Sequence, residues 1–351
     1  MNPVASHAID IAESAYNLDK PSSVWLRDLI DIGAPAWDQG PGVFGFEFVR
    51  PGPGGAGSEI VIQNPTLRSL PADFPARVVA VLSSLSPELV QIIAPPGYAG
   101  TWRGLIDEHP EAQGFPVEEL GYEDLFAVLA VDPNGVGVEI IAPLDHATRL
   151  APKAQERWQM LCAHIATAHR LRNALAQRAA TQSQETGLPR QAEAVFDVRG
   201  FRVVDLAGPA KEASASDILR EAARGVDQAR GKLRRQDPEL ALEMWTALVD
   251  GRWSLVDWFD TDDRRFVLAV PNPPEVRDPR GLSEQESQVA TYAALGETNK
   301  LIAYRLGLSQ SRVSVLLKSA MHKLGARSKA ELVRKLQPLG ASTMGLSDTR
   351  T

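Results

Sequence analysis

Ser309-Gln310-Ser311-Arg312 opens a stretch whose residue types suit hydrogen bonding to a polyanion rather than bond-breaking chemistry. Ser309 is placed to cap a helix running to Leu324, because a serine oxygen satisfies N–H groups that the first helical turn leaves unpaired. Val313, Leu316 or Leu317, Ala320 and Leu324 recur at helical spacing and form its inward stripe. That leaves basic side chains, Lys318 among them, on the outside. A helix of this kind fits the major groove of DNA, its first residues facing base edges and its N-terminal N–H groups favouring phosphate.

Neighbouring segments supply the frame that such a helix needs. Leu282-Ser-Glu-Gln-Glu-Ser287 reads as a helix start in which Ser283 and Glu286 make a capping box. Val289, Tyr292, Ala293 and Leu295 supply the buried face, and Gly296 ends the helix. Thr298 to Leu306 reads as a second short helix with Leu301, Ile302 and Leu306 inward. Gly307 then provides the left-handed residue for a tight turn. Gly325 stops the third helix, and Ser328 to Leu336 reads as a fourth. Two helices joined by a short glycine turn, the second carrying its cations outward, make a helix-turn-helix.

The match goes beyond a bare helix-turn-helix. Leu282-Ser283, Glu286, Asn299-Lys300, Ile302-Ala303, Leu306-Gly307-Leu308-Ser309, Val313, Lys323-Leu324-Gly325 and Glu331-Leu332 together resemble the LuxR/GerE-type DNA-binding domain over about fifty-five residues. The resemblance implies an all-α, four-helix domain that dimerises through its last helix on DNA. Carried over by position, it implies groove-facing roles for Ser311, Arg312, Ser314, Val315, Lys318 and Ser319. Ser309 and Gln310 stand at the helix start, and Lys300 and Lys323 near phosphates. Three positions depart from the family pattern: Arg312 stands where threonine is usual, Ser314 where a cation is usual, and Leu316 where histidine is frequent. One cation lost at Ser314 and one gained at Arg312 is compatible with DNA affinity, but the base preference does not follow from the family pattern.

Charge supports this reading once it is resolved along the chain. The 351 residues carry a net charge of −7, which taken as an average argues against phosphate contacts. Between Arg280 and Gly340, however, about ten basic residues face about four acidic ones, so one basic module sits on an acidic body. Hydrophobic residues make up 44% and charged residues 23%, the composition of a folded chain of more than one domain. No run approaches the ~18 apolar residues of a membrane span, and Met1 to Glu13 has no signal-peptide pattern. Cys162 is the single cysteine, which excludes an internal disulfide and fits a reducing, cytoplasmic setting. His164 and His169 lack metal-ligand spacing, so no metal or cofactor is expected.

The remaining chain reads as α+β. Ser6 to Ile32 predicts one or two amphipathic helices, and Phe44, Phe46 and Phe48 alternate as on one face of a strand. Glu59-Ile-Val-Ile62 predicts a second strand and Arg77 to Leu85 a helix. Leu125–Val131 and Val136–Ile141 flank Asp132-Pro-Asn-Gly135, a hairpin turn in which Asn134-Gly135 tolerates positive φ. A long helix is expected from Pro152 to Gln184, with Trp158, Leu161, Ile165, Ala168, Leu175 and Ala179 near heptad spacing, packed on its own domain or on a second copy. Ala194–Leu206 and Arg252–Val270 predict two further hairpins. Between them, Ser216 to Arg235 is expected as a helix capped by Ser216, and Asp237 to Leu248 as another with Pro238 in its first turn. Strand pair, helices, strand pair is the order seen in PAS domains, and this middle region resembles one in architecture. Trp25, Trp37, Tyr98 and Trp102 are either core or the lining of a ligand pocket.

The expected organisation is an α+β, GAF/PAS-like input domain over 1–150 and a long connecting helix and linker over 151–190. A PAS-like α+β domain follows over 191–272, then a Pro-rich linker at 273–281, the LuxR-type helix-turn-helix domain at 282–340 and a disordered tail at 341–351. No nucleophile elbow, P-loop or His-Glu-x-x-His is present, and no catalytic residues are expected. The partners implied are double-stranded DNA, a second copy of the chain as a homodimer, RNA polymerase, and a small molecule or protein as input, with no membrane. The alternatives are a protein-interaction adaptor, or a sigma-like factor whose helix-turn-helix does not read an operator by itself.

Overall fold

In the computed structural model, the described residues are 3–49, 61–86, 89, 93, 97–133, 135–181, 187–274, 276 and 281–336. Asn134, Glu59, Ile60, residues 182–186 and the expected tail at 341–351 lie outside them. Two helices open the chain, α1 (Pro3–Ala15) and α2 (Ser22–Trp37). Strands β1 (Val43–Val49) and β2 (Val61–Arg68) follow, then α3 (Phe74–Ser84), β3 (Ala99–Thr101), α4 (Trp102–Glu108), β4 (Asp124–Val131) and β5 (Val136–Leu144). These strands form an antiparallel sheet in the order β2-β1-β5-β4-β3.

Alternation decides what each face of this sheet covers. Phe44, Phe46 and Phe48 share one face with Leu125, Leu129 and Ile141, closed by Phe74, Val78 and Val81 of α3 and by Trp102 and Leu105 of α4. Val43, Val138, Ile140, Ala142, Phe126, Val128 and Ala130 point the other way, into the main core. The β4–β5 hairpin closes as expected, with Gly135 at φ 82° and its amide donating to Asp132 O at 2.9 Å.

The long helix α5 (Pro152–Thr181) spans 30 residues. From Met160 to Arg172 every residue is buried, so α5 is enclosed on all sides by its own chain rather than exposing a continuous seam. Leu175 and Ala179, the last two residues of the heptad-like series, lie where burial gives way to exposure. Trp158 stacks on Trp37 and packs against Phe126, while Trp25 stacks on His169.

Beyond α5, β6 (Ala194–Asp197), β7 (Arg202–Leu206), β8 (Trp253–Phe259) and β9 (Arg265–Pro271) form a second antiparallel sheet in the order β7-β6-β9-β8. Helices α6 (Ala213–Gln228) and α7 (Pro238–Met244) lie between its hairpins. Two sequence expectations need correction here. Ser216 is not a cap: α6 begins at Ala213, and Ser216 is buried inside it, because Ala210, Ala215 and Leu219 pull the first turn into the core. The second helix stops at Met244 instead of Leu248, since Trp245, Ala247, Leu248 and Val249 are buried individually in a turn leading to β8. Asp237 does cap α7, accepting from the Leu240 amide.

A single apolar core runs through α1, α2, the inner face of the first sheet, α5 and the second sheet. Polar groups reinforce this junction. Arg170 of α5 pairs with Asp132, donates from Nε to Asn272 Oδ1 at 2.9 Å and from Nη2 to Asn272 O at 3.0 Å. Asn272 in turn donates to Thr167 O and Ser254 Oγ, so one arginine is held against both sheets. The C-terminal helices are α8 (Glu284–Ala294), α9 (Asn299–Leu306), α10 (Gln310–Lys323) and α11 (Lys329–Leu336). No helix among the described residues is long and apolar enough to cross a membrane.

Candidate nucleic-acid interface

Capping and turn chemistry build this region from its sequence. Ser283 accepts from the Glu286 amide while Glu286 reaches back to the Ser283 amide, completing the capping box of α8. Thr298 caps α9 and Ser309 caps α10, each accepting from an amide three residues on. Gly307 adopts φ 64° between the two helices. A side chain there would strain the backbone and would also place its Cβ 2.0 Å from Leu248 O. Val289, Tyr292, Ala293, Ile302, Leu306, Val313, Leu316, Ala320, Leu324 and Leu332 form the local core, with Leu317 partly buried beside it.

With Val313, Leu316 and Ala320 inward, α10 leaves Ser311, Arg312, Ser314, Val315 and Lys318 exposed along one side. Val315 is 61% exposed, unusual for an aliphatic residue at the middle of a helix. Ser309 and Gln310 stand exposed at its N-terminus, and the Ser309 and Ser311 hydroxyls lie 3.0 Å apart. The Ser314 hydroxyl donates to Gln310 O and accepts from Asn299 Nδ2. Arg312 reaches Gln285 Oε1 at 3.2 Å. These residues form one exposed strip of donors, acceptors and two cations, with an apolar contact at its centre.

Ser319 and Lys323 are arranged differently. Both donate to Glu286, the hydroxyl at 2.6 Å and the ammonium at 2.6 Å. Those two bonds, with the Ser283 amide, hold the Glu286 carboxyl down at about 2, far below its ordinary range. Glu286 therefore locks the flank of α10 to the start of α8.

Lys300 is separated from the strip. It lies on α9 and pairs with Glu156 of α5 at 2.5 Å, within a cleft of about 700 Å³ whose lining includes Glu108, Gln155, Glu243 and Gln310. As the domains are docked, its ammonium is held by the body.

Sequence reasoning missed Tyr304 and Arg305, which are buried although the local core accounts for only one side of α9. Tyr304 Oη donates toward the Leu242 and Trp245 carbonyls at 2.7 and 2.8 Å and lies 2.8 Å from His164 Nε2. Burial drives the His164 ring down to about 3, so it is neutral at ordinary pH. Arg305 forms a two-point pair with Glu297 at 2.7 and 3.1 Å, stacks over Tyr292, and is covered by Gly97, whose missing Cβ would come within 3.1 Å of the pair. The attraction of Glu297 outweighs burial and keeps Arg305 firmly protonated. The available signal was the pattern itself: α9 has Leu301, Ile302, Ala303, Tyr304 and Leu306 around most of its circumference, which marks a helix buried on two sides.

The aromatic candidates upstream divide. Tyr98 and Trp102 line a cavity of about 60 Å³ with Phe48, Phe115, Leu125 and Glu139, whereas Trp25 and Trp37 belong to the main core.

Comparison with known families matches residues 280–336 to GerE, bacterial regulatory proteins of the luxR family. A comparison of the chain with curated proteins finds no match. The C-terminal segment is thus a luxR-family domain, joined to an α+β body with two antiparallel sheets.

Proposed function

We propose that this chain is a transcription regulator that seats α10 in the major groove of double-stranded DNA. The observation that carries the reading is the exposed strip Ser311, Arg312, Ser314, Val315 and Lys318 on a helix capped by Ser309 and locked by Glu286. Arginine supplies forked donors for guanine, serine bonds to either base type, and an exposed valine suits a thymine methyl. Lys318 adds phosphate attraction that falls with salt, and Lys323 joins it to the extent that its pair with Glu286 opens. One such module makes few base contacts, so two copies on a near-palindromic site, paired through α11, supply the affinity. The exposed Arg334 and half-buried Val333 and Leu336 on α11 support that role.

The α+β body acts as the input in this reading, GAF/PAS-like in the order of its first sheet. Its cavity of about 60 Å³ is far below the ~300–1,000 Å³ of ordinary ligand sites. A drug-sized ligand in that cavity would need α3 and α4 to move outward, whereas a protein signal would not.

Selection of full-length protein on random duplexes, followed by a salt titration, tests the proposal. Enrichment of a two-fold-symmetric sequence, lost in the Arg312→Ala/Lys318→Ala double variant, is the expected result. Salt-independent behaviour with no enriched sequence would favour the adaptor reading.

A further inference from the structure

We infer that Gln285, outside the recognition helix, is a positioning residue for Arg312, and that Asp250 of the body sets its orientation. This rests on the proposed reading of DNA by α10. Gln285 Nε2 donates to Asp250 Oδ1 at 2.7 Å and lies 3.4 Å from Asp250 O, while its Oε1 accepts from Arg312 Nη2 at 3.2 Å. The polarity of this relay is fixed by chemistry. An ionised aspartate only accepts and a guanidinium only donates, so the amide has one orientation that satisfies both. Asp250 is itself held. It adopts φ 50° in a turn whose next residue, Gly251, donates to Leu306 O at 2.5 Å and accepts from Gln288 Nε2 at 3.0 Å.

The turn therefore grips α8 and the end of α9 together and presents one carboxylate to Gln285. Arg312 is exposed in the first turn of α10, where a long side chain would otherwise sample many rotamers. Tethering one Nη leaves the rest of the guanidinium available for a guanine edge, and the ordering cost is met before binding. One of the three side chains that depart from the family pattern is thus aimed by a residue of α8 and, through it, by the body.

The test measures base discrimination at each position of the selected site for full-length wild type, Gln285→Ala, Gln285→Met, Asp250→Ala, Arg312→Ala and the Gln285→Ala/Arg312→Ala pair. The methionine variant keeps side-chain length without polar atoms, so a loss shared with alanine is not a packing effect. The assignment expects discrimination to fall by about tenfold at the base pair read by Arg312 alone, with melting temperature and salt slope unchanged. Asp250→Ala should move the same position in the same direction. The double variant should be no worse than Arg312→Ala, since the two residues act in series. A uniform loss across all positions, or additive losses in the double variant, would overturn the assignment while leaving DNA reading intact. A wild type that enriches no sequence would overturn the DNA reading itself.

Discussion

Glu286 shows how one residue can serve both as a helix cap and as an anchor for a neighbouring helix. Its carboxylate takes the Ser283 amide, the Ser319 hydroxyl and the Lys323 ammonium. Because its folded value of about 2 lies below the ordinary 4.5, the unfolded chain binds a proton first as pH falls. The stabilisation is full above about 4.5 and disappears as pH approaches 2. Glu286→Gln should therefore lower the thermal midpoint at pH 7, the gap narrowing as pH falls from 4.5 and closing only near pH 2. A gap independent of pH, read by circular dichroism, would refute this account. Tyr304→Phe removes a hydroxyl whose single O–H lies within reach of the Leu242 and Trp245 carbonyls and beside the His164 ring. Its expected cost is about 1–3 kcal/mol, the range for leaving buried partners unsatisfied, measurable by urea unfolding.

At the scale of elements, the α9–α10 turn couples local conformation to tertiary contact. Gly307 must be left-handed to end α9, and its bare Cα lies against the Leu248 carbonyl. Gly307→Ala meets both obstacles, so it should destabilise more than the ~1–2 kcal/mol of left-handed strain alone. It should also loosen the body from the luxR-family domain, which limited proteolysis between residues 270 and 283 would report as faster cleavage. Ser309→Ala removes only a cap and should cost about 1 kcal/mol without changing that cleavage rate. The two substitutions sit two residues apart, yet only one reaches across to the body.

For the molecule as a whole, α5 joins the two sheets and the luxR-family domain. His164 on its buried middle meets Tyr304, Arg170 bridges Asp132 and Asn272, and Glu156 near its start pairs with Lys300. Burial lowers the His164 value to about 3 from 6.5, so the folded state resists a proton that the unfolded chain accepts. Stability from this residue is complete above 6.5 and declines between 6.5 and 3. In the proposed reading Lys300 is also where body and DNA compete, because an ammonium paired with Glu156 must be released to meet a phosphate. Glu156→Gln should raise the DNA affinity of the full chain by about threefold, on the order of 0.7 kcal/mol for an exposed pair, with a steeper salt slope. An unchanged affinity would mean that Lys300 stays turned toward the body on DNA.

The luxR-family domain was legible residue by residue because its determinants are local. Ser283 and Ser309 cap amides three residues away, Gly296, Gly307 and Gly325 take left-handed turns, and apolar residues recur at helical spacing. The β4–β5 and β8–β9 hairpins were legible for the same reason, since alternation and turn residues lie within one short segment. The N-cap expected at Ser216 and the helix end expected at Leu248 failed where burial outweighed local preference, in α6 and after α7. What the sequence determined by itself was the presence, type and inward face of elements whose partners lie within a few residues. Tertiary structure alone decided that α5 is enclosed, that Tyr304 and Arg305 are covered, that Lys300 is held by Glu156 and that Asp250 reaches Gln285. The Asp250–Gln285 and Glu156–Lys300 contacts, for example, join residues 35 and 144 positions apart, and their geometry is set by packing of whole elements, which no local pattern encodes.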